Sequence, residues 1–382
     1  MKRQHMMDTK SPLRIAIIDD EIAPDLASLG CRIEKVSIVT NHFPEGNCNT
    51  HISHSTVVAK ILQAYTKPFI HYSITNYIVA LNDRHSFGLD TLLKALRECA
   101  LLRPHIVIMS IGSTMPSDAS LLYPLCEALT SDGTIIVAAT SNDNVFTFPA
   151  SFENVIAVRY CHNNDAPITV CTRDFLGTNF SVSYNRSELA RLIGIDTLPS
   201  NSFAVPVIAA EIINGYFQFS SLSALDIVRI LTKINKYPYC ETSYSSSSMH
   251  DSECPLIIKI SGNNIIQHIP RIIKVLKHKY DLEAVCLTPK ANDIAHQFYC
   301  VCKEDIDTFF ANKLYARIRS DILFIIEMEY EKHDIEINLQ TNTVLFTIAE
   351  GIYKHQYNIT PNILEEIIAD KIILLNCLYG EQ

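Results

Sequence analysis

The 382-residue sequence has no long apolar run. No stretch reaches the length of about 18 apolar residues that a helix needs to cross a bilayer. The N-terminal residues 1–8 are basic, but the apolar segment of about seven residues that completes a secretory signal does not follow them. The sequence therefore predicts no membrane span, no membrane partner and no secretory signal.

The sequence also has no Cys-x-x-Cys pair, although it contains 12 cysteines. These cysteines are scattered through apolar segments, which is the distribution expected of buried thiols and not of a disulfide framework. We therefore expect reduced cysteines and a cytoplasmic protein.

Positive charge is in short supply, because the formal net charge is −9 and the isoelectric point is about 5.9. An acidic protein is a poor candidate for binding nucleic acid, whereas a peptide or protein partner is compatible with this charge. His51 and His54 have the spacing of two metal ligands on a helix, but no acidic partner motif accompanies them. The sequence therefore predicts neither a metal nor another cofactor, and it leaves calcium binding and the oligomeric state open.

Three apolar segments each contain one reactive side chain, and they occur in the order Asp, His, Ser. Residues 15–19 form a β-branched run that ends in Asp19, which predicts a buried strand with a carboxylate at its end. His54 opens a helical pattern that continues to residue 62. Ser202 stands at the start of an apolar helical pattern over residues 201–210.

Three further segments lie between these. Residues 134–139 predict a strand that leads to Asn142, residues 104–112 predict a strand that ends in Ser110-Ile111-Gly112, and residues 148–158 run from a Phe-Pro pair to an apolar strand. Together, over roughly residues 13–235, the ordered segments resemble the subtilisin-like serine proteases, whose triad follows the same chain order.

The resemblance implies a fold and a set of roles. The fold is α/β, with a doubly wound, mainly parallel sheet that carries helices on both faces. Ser202 would be the nucleophile, His54 the general base and acid, and Asp19 the carboxylate that orients the histidine. Asn142 would donate to the oxyanion of the tetrahedral intermediate.

The resemblance also assigns substrate binding to Ser110, Ile111, Gly112, Ser141, Asp143 and Thr147. Thr147 stands where the family often has glycine at the floor of the pocket, which would make the pocket shallower. Asp143 would favour a basic substrate residue at the rim. These two indications conflict, so the sequence predicts no particular side chain before the scissile bond.

The sequence departs from the family pattern at positions beside the triad. Asp20 and Glu21 follow Asp19 where Ser or Thr and then Gly are usual, and we expect their charge to raise the pKa of His54. Ser200 stands where glycine is common, so we expect a cost if the backbone there needs the freedom of glycine.

The predicted domains are residues 1–240 as the catalytic domain, 241–254 as a serine-rich linker, and 255–382 as a smaller C-terminal α/β or α+β domain. The last domain matches no pattern that we recognise, and we expect it to bind or position substrate. Because the strand that carries Asp19 begins near Leu13, we also expect the enzyme to fold without a prodomain.

Three functions remain open from the sequence. The first is a selective cytoplasmic endopeptidase that removes the leader from a precursor peptide. The second is a general intracellular protease, and the third is an inactive subtilisin-fold module that binds peptides.

Overall fold

The computed structural model describes residues 12–23, 31–39, 52–80, 88–162, 166–172, 174–219, 222–241, 255–262, 264–290, 292–311, 314–328, 333–339, 343–348, 354–358 and 364–379. The chain divides into two compact units. The first comprises residues 1–113, 124–142 and 149–242, and the second comprises 114–123, 143–148 and 243–382.

The first unit is built on a nine-stranded sheet. Its strands are β1 (Leu13–Asp19), β2 (Arg32–Ser37), β3 (Tyr72–Ile78), β4 (Ile106–Met109), β5 (Ile135–Ala139), β6 (Ile156–Tyr160), β7 (Ile168–Thr172), β8 (Phe180–Val182) and β9 (Tyr239–Glu241). Their spatial order is β2-β3-β1-β4-β5-β6-β8-β7-β9. All neighbouring pairs are parallel except β7 with β8.

The helices of this part of the chain are α1 (His54–Tyr65), α2 (Leu89–Leu102), α3 (Ala119–Ser131), α4 (Arg186–Ile193), α5 (Asn201–Asn214), α6 (Tyr216–Phe219) and α7 (Ala224–Asn235). The unit boundary falls within α3, between residues 123 and 124.

Strand β1 shows why the sheet is covered on both faces. Ile15 and Ile17 join the core that α1 and α5 cover, while Ala16 and Ile18 are equally buried and point to the opposite face. Helix α2 contacts β1 without joining the first core. A strand buried on both faces has a continuous apolar sequence, as residues 15–18 do. The predicted doubly wound, mainly parallel sheet is therefore confirmed.

The second unit has its own seven-stranded sheet and its own apolar core. Its strand order is β12-β11-β13-β10-β14-β15-β16, with antiparallel pairing only among β14, β15 and β16. Its elements are β10 (Leu256–Gly262), α8 (Ile265–Tyr280), β11 (Ala284–Thr288), β12 (Phe298–Cys300), α9 (Ile306–Ala311), β13 (Ile322–Ile326), β14 (Ile335–Leu339), β15 (Thr343–Ile348), β16 (Lys354–Asn358) and α10 (Leu364–Tyr379).

The second unit also includes two segments, 114–123 and 143–148, that lie far from its other residues in the sequence. Sequence reasoning did not predict this membership. The domain boundaries at residues 240 and 255 stay predictions, and the serine-rich linker 241–254 lies, apart from Glu241, outside the described residues. None of the helices in the described ranges is long and apolar enough to cross a bilayer.

Candidate active site

Asp19 and His54 meet where β1 ends and α1 begins. Nδ1 of His54 lies 2.7 Å from Oδ2 of Asp19, and the other carboxylate oxygen of Asp19 accepts a hydrogen bond from the Asp20 backbone N–H at 2.9 Å. The Asp19 side chain is only 4% exposed, and these two hydrogen bonds fix the position of its carboxylate. With a carboxylate as acceptor, Nδ1 carries the hydrogen and Nε2 is the basic nitrogen.

The Asp20 carboxylate binds the first turn of α1. It accepts hydrogen bonds from the backbone N–H groups of His54 at 2.9 Å and Ser55 at 2.7 Å, while the N-cap residue Ser53 accepts from Thr56. These bonds satisfy N–H groups that a helix leaves unpaired at its start. Asp20 therefore positions the backbone of His54.

The pKa of His54 is raised above its ordinary value. Burial alone would lower this pKa, but the charge of Asp19, the hydrogen bond to Asp19 and the charge of Asp20 raise it, and the net shift is upward. The expectation for Glu21 is wrong, because this carboxylate forms an ion pair with Lys35 at 2.7 Å and does not contribute to the shift. The predicted effect of neighbouring acid groups thus comes from Asp20.

Ser202 is the second residue of α5, and its hydroxyl donates to the carbonyl oxygen of Ser110 at 3.2 Å. Pro206 lies four residues further along the helix and has no N–H to donate to the Ser202 carbonyl. In place of that N–H group, the hydroxyl of Ser110 donates to the Ser202 carbonyl at 3.4 Å. The two serines therefore bind each other reciprocally.

No hydrogen bond joins the Ser202 hydroxyl to His54 among the described residues. The residue after Ser202 nevertheless contacts the imidazole, because the ring of Phe203 stacks on that of His54 with centroids 5.0 Å apart and an interplanar angle of 29°. Phe203 is buried and thus supports one face of the histidine.

The backbone at Ser200 needs no glycine. Its φ of −150° and ψ of 164° are extended, a conformation open to any residue. The expectation of a cost at this position is therefore wrong. The Ser200 hydroxyl is buried without a hydrogen-bond partner in the described structure.

Asn201 connects the start of α5 to the ends of two strands. Its amide nitrogen donates to the Thr140 carbonyl at 3.0 Å, the Thr140 hydroxyl at 3.2 Å and the Ser141 carbonyl at 2.9 Å. Its amide oxygen accepts from the backbone N–H of Tyr160 at 2.8 Å. One buried side chain therefore sets the position of the helix relative to β5 and β6.

Asn142 follows β5 and is exposed. Its side-chain oxygen accepts from the backbone N–H of Asn201 at 3.1 Å. This bond fixes the orientation of the side-chain amide.

The predicted substrate-binding residues fall in both units. Ser110, Ile111 and Gly112 lie in the half-buried stretch after β4, and the Ser141 carbonyl is bound by Asn201. Two other predicted residues, Asp143 and Thr147, belong to the second unit.

Asp143 is 74% exposed, and its carboxylate lies 3.5 Å from the guanidinium of Arg319. This pairing weakens the argument that Asp143 attracts a basic substrate residue. Thr147 is buried and its hydroxyl donates to the Val145 carbonyl at 3.1 Å.

Sequence reasoning did not assign roles to Asn201 and Phe203. The available signal was their position, since they directly flank Ser202 in the chain. Neither residue type reveals its partner. Asn201 binds Thr140, which lies 61 positions earlier in the chain, and Phe203 stacks on His54, which lies 149 positions earlier.

The arrangement provides a basic nitrogen, a hydroxyl on a helix N-terminus and an amide donor beside it. Such a set can perform acyl transfer by nucleophilic attack. Within the described ranges, no group of three His, Cys, Asp or Glu side chains is placed to hold a metal ion.

No family model and no curated protein matches this chain. Among solved structures, the protease domain of a PatA mutant is 15% identical, with a TM-score of 0.41 over 58% of this chain and 86% of that one. The prenylagaramide maturation protease PagA is 15% identical, with a TM-score of 0.39 over 57% of this chain and 80% of that one.

The nisin leader peptidase NisP from Lactococcus lactis is 14% identical, with a TM-score of 0.39 over 58% of this chain and 82% of that one. These likenesses are too distant to transfer a function to this chain.

Proposed function

We propose that this chain is a serine endopeptidase that cleaves peptide bonds through an acyl-enzyme. The observation that carries the proposal is the 2.7 Å contact between buried Asp19 and His54. The ring of Phe203, the residue after Ser202, stacks on the same imidazole. A buried carboxylate on Nδ1 is what a histidine needs to act as a base through Nε2.

In the proposed reaction, Nε2 of His54 takes the proton of the Ser202 hydroxyl while Oγ attacks the substrate carbonyl carbon. The tetrahedral intermediate then expels the amine, which receives the proton from His54, and the acyl group stays on Ser202. Water repeats the sequence and releases the acid. Asp19 keeps accepting the hydrogen bond from Nδ1 and stabilises the imidazolium that forms in each half of the reaction.

Negative charge on the substrate oxygen requires donors that are already in place. The proposal assigns these to the amide nitrogen of Asn142 and the backbone N–H of Ser202 in the first turn of α5. The positive end of the helix dipole adds to them. The bond from Asn201 to Asn142 at 3.1 Å supports this assignment, because it orients the amide of Asn142.

We further propose that the substrate is a precursor peptide from which a leader is removed in the cytoplasm. Two segments of the second unit continue the chain from predicted substrate-binding residues, which supports selective cleavage and argues less for general digestion. Nine of the cysteines in the described ranges form no disulfide, which is compatible with a reducing compartment.

The test is labelling with an alkyl fluorophosphonate, which reacts only with an activated serine. We expect labelling of the wild-type chain and its loss in Ser202→Ala. Ser200→Ala is a matched control, since the hydroxyl it removes is buried without a partner only two residues away. Labelling that persists in Ser202→Ala, or that fails in the wild-type chain from mildly acidic to alkaline pH, would contradict the proposal.

A second candidate is an inactive peptide-binding module, and the bond from Ser202 to the Ser110 carbonyl favours it. This module would resist the fluorophosphonate at every pH. The general protease would be labelled but would also digest unfolded casein, which a selective enzyme leaves intact.

A further inference from the structure

The two segments of the second unit that lie apart in sequence each begin shortly after a predicted site residue. Segment 114–123 begins two residues after Gly112, and segment 143–148 begins directly after Asn142. Both therefore continue from residues that the proposed function assigns to substrate binding or to the oxyanion.

Glu283 holds the first segment. Its carboxylate accepts from the backbone N–H of Ser117 at 2.9 Å and from the Ser117 hydroxyl at 2.6 Å, and Lys277 pairs with it at 2.9 Å. The Glu283 side chain is only 5% exposed. A buried carboxylate needs such partners, so this contact tolerates little variation in the position of Ser117.

The backbone of Glu283 is itself fixed at the start of β11. Its carbonyl accepts from the N–H groups of Asp321 and Ile322, and its own N–H donates to the Asp321 carboxylate at 2.7 Å. The segment is thus attached to the sheet of the second unit and not to a loose side chain.

Arg317 holds the second segment. Its guanidinium donates to the Asn144 carbonyl at 2.9 Å, and its own carbonyl accepts from the backbone N–H of Phe146 at 2.9 Å. Asn144 has a left-handed φ of 54°, and the ring of Phe146 packs edge-on against Tyr299 at 4.8 Å between centroids. The turn after Asn142 is therefore held in one conformation by a buried arginine.

Arg319 joins the two segments. It donates to the Thr114 hydroxyl at 3.0 Å, and its guanidinium lies 3.5 Å from the Asp143 carboxylate. These partners are the first residues of the two segments.

We propose that Glu283, Arg317 and Arg319 are positioning residues that set the enzyme's selectivity for the substrate side chain next to the scissile bond. This inference rests on the proposed function. The three residues do not take part in bond breaking. They fix the chain segments that continue from the substrate-binding residues, and a small displacement of such segments is enough to change selectivity.

The experiment compares several rates of Ser202 labelling in the full chain. One is measured with an alkyl fluorophosphonate, which needs the triad and the oxyanion donors but carries no substrate side chain. The others are measured with peptidyl phosphonates that differ in the side chain next to phosphorus, and the ratio of the fastest to the slowest gives the selectivity. In Glu283→Ala we expect this ratio to fall about tenfold, with the alkyl rate within about twofold of wild type.

Two further variants distinguish positioning from general damage. Glu283→Gln keeps an acceptor for the Ser117 N–H but places an amide nitrogen at the oxygen that pairs with Lys277, so we expect it to restore only part of the selectivity. Arg319→Ala changes a side chain that is 47% exposed, so this variant should fold even if Glu283→Ala does not. We expect its selectivity ratio to decrease as well. Glu366→Ala, an exposed carboxylate on α10 in the same unit, is the control and should leave both rates unchanged.

An unchanged ratio in the folded variants, or a wild-type chain that is labelled without any selectivity, would overturn the inference alone. A wild-type chain that no fluorophosphonate labels would overturn the proposed function and the inference with it.

Discussion

The hydroxyl of Ser202 donates to the carbonyl oxygen of Ser110 at 3.2 Å, whereas the imidazole of His54 is bound to Asp19 on its other side. The proposed reaction needs the hydroxyl on Nε2. We expect a rotation about the first side-chain torsion of Ser202 to another staggered position to bring it there, because catalytic hydrogen bonds often tighten only once substrate is bound.

The first prediction concerns this rotation. In a crystal structure of the fluorophosphonate adduct, we expect the Ser202 oxygen to have left the Ser110 carbonyl and Nε2 of His54 to lie about 2.6–3.2 Å from the adduct oxygen that it serves. An adduct whose serine oxygen still points at Ser110, with the imidazole out of reach, would rule out this mechanism.

The second prediction separates two functions of Asn142. Its side-chain oxygen binds the Asn201 N–H at 3.1 Å, and its nitrogen is the proposed oxyanion donor. Asn142→Asp keeps the acceptor and removes the donor, so we expect a near-normal melting temperature and a loss of about 10²–10³-fold in the alkyl fluorophosphonate labelling rate, the size of effect measured on kcat for one such donor in subtilisin.

Asn142→Ala removes both contacts and should lower the melting temperature as well. If Asn142→Asp labels at the wild-type rate, Asn142 is not an oxyanion donor.

The third prediction follows from the raised pKa of His54. The base must be neutral, so the labelling rate should rise with pH. The midpoint of this rise should lie above 6.5, the ordinary pKa of histidine. Because the folded-state pKa is raised, the stability that protonated His54 contributes is fully present below its unfolded-state pKa and is lost as the pH rises through the folded-state pKa.

Asp20→Asn tests the cause of that shift. Loss of the Asp20 charge should lower the labelling midpoint, and loss of one helix-capping acceptor should cost about 1 kcal/mol in the free energy of unfolding. Glu21→Gln is the control, because Glu21 pairs with Lys35 and should leave the midpoint unchanged. Equal midpoints in Asp20→Asn and the wild-type chain would show that Asp20 has no such effect.

The fourth prediction concerns Asn201. Asn201→Ala leaves the Tyr160 N–H without its partner and removes the hydrogen bond to the Thr140 carbonyl, and we expect a loss of about 3 kcal/mol in the free energy of unfolding, measured with a chemical denaturant. In Ser200→Ala, the neighbouring hydroxyl without a partner is removed, and stability should be unchanged or slightly higher. Similar losses in both variants would contradict the assignment of this bonding network to Asn201.

Much of the fold could be predicted because apolar periodicity is a local signal. The strand before Asp19, the helix that starts at His54 and the apolar helix of Ser202 are all present where the patterns indicated them. The meeting of Asp19 and His54 was predicted from the family resemblance, and their catalytic role stays a proposal.

Other features could not be predicted because they depend on partners that are remote in the chain. Ser200 looked costly by its residue type, yet its backbone is extended. Glu21 looked like part of the site, yet its carboxylate turns to Lys35. Side-chain direction depends on the surrounding packing, and no local pattern records it.

The amino-acid sequence by itself determined which segments become strands and helices and in what order Asp19, His54 and Ser202 arrive, because burial of apolar faces is written in short-range periodicity. Only the tertiary structure decided that Asn201 ties α5 to two strand ends, that the Ser202 hydroxyl rests on Ser110, and that segments 114–123 and 143–148 belong to the second unit. Those outcomes depend on directional hydrogen bonds between distant residues, and such bonds exist only once the chain has folded.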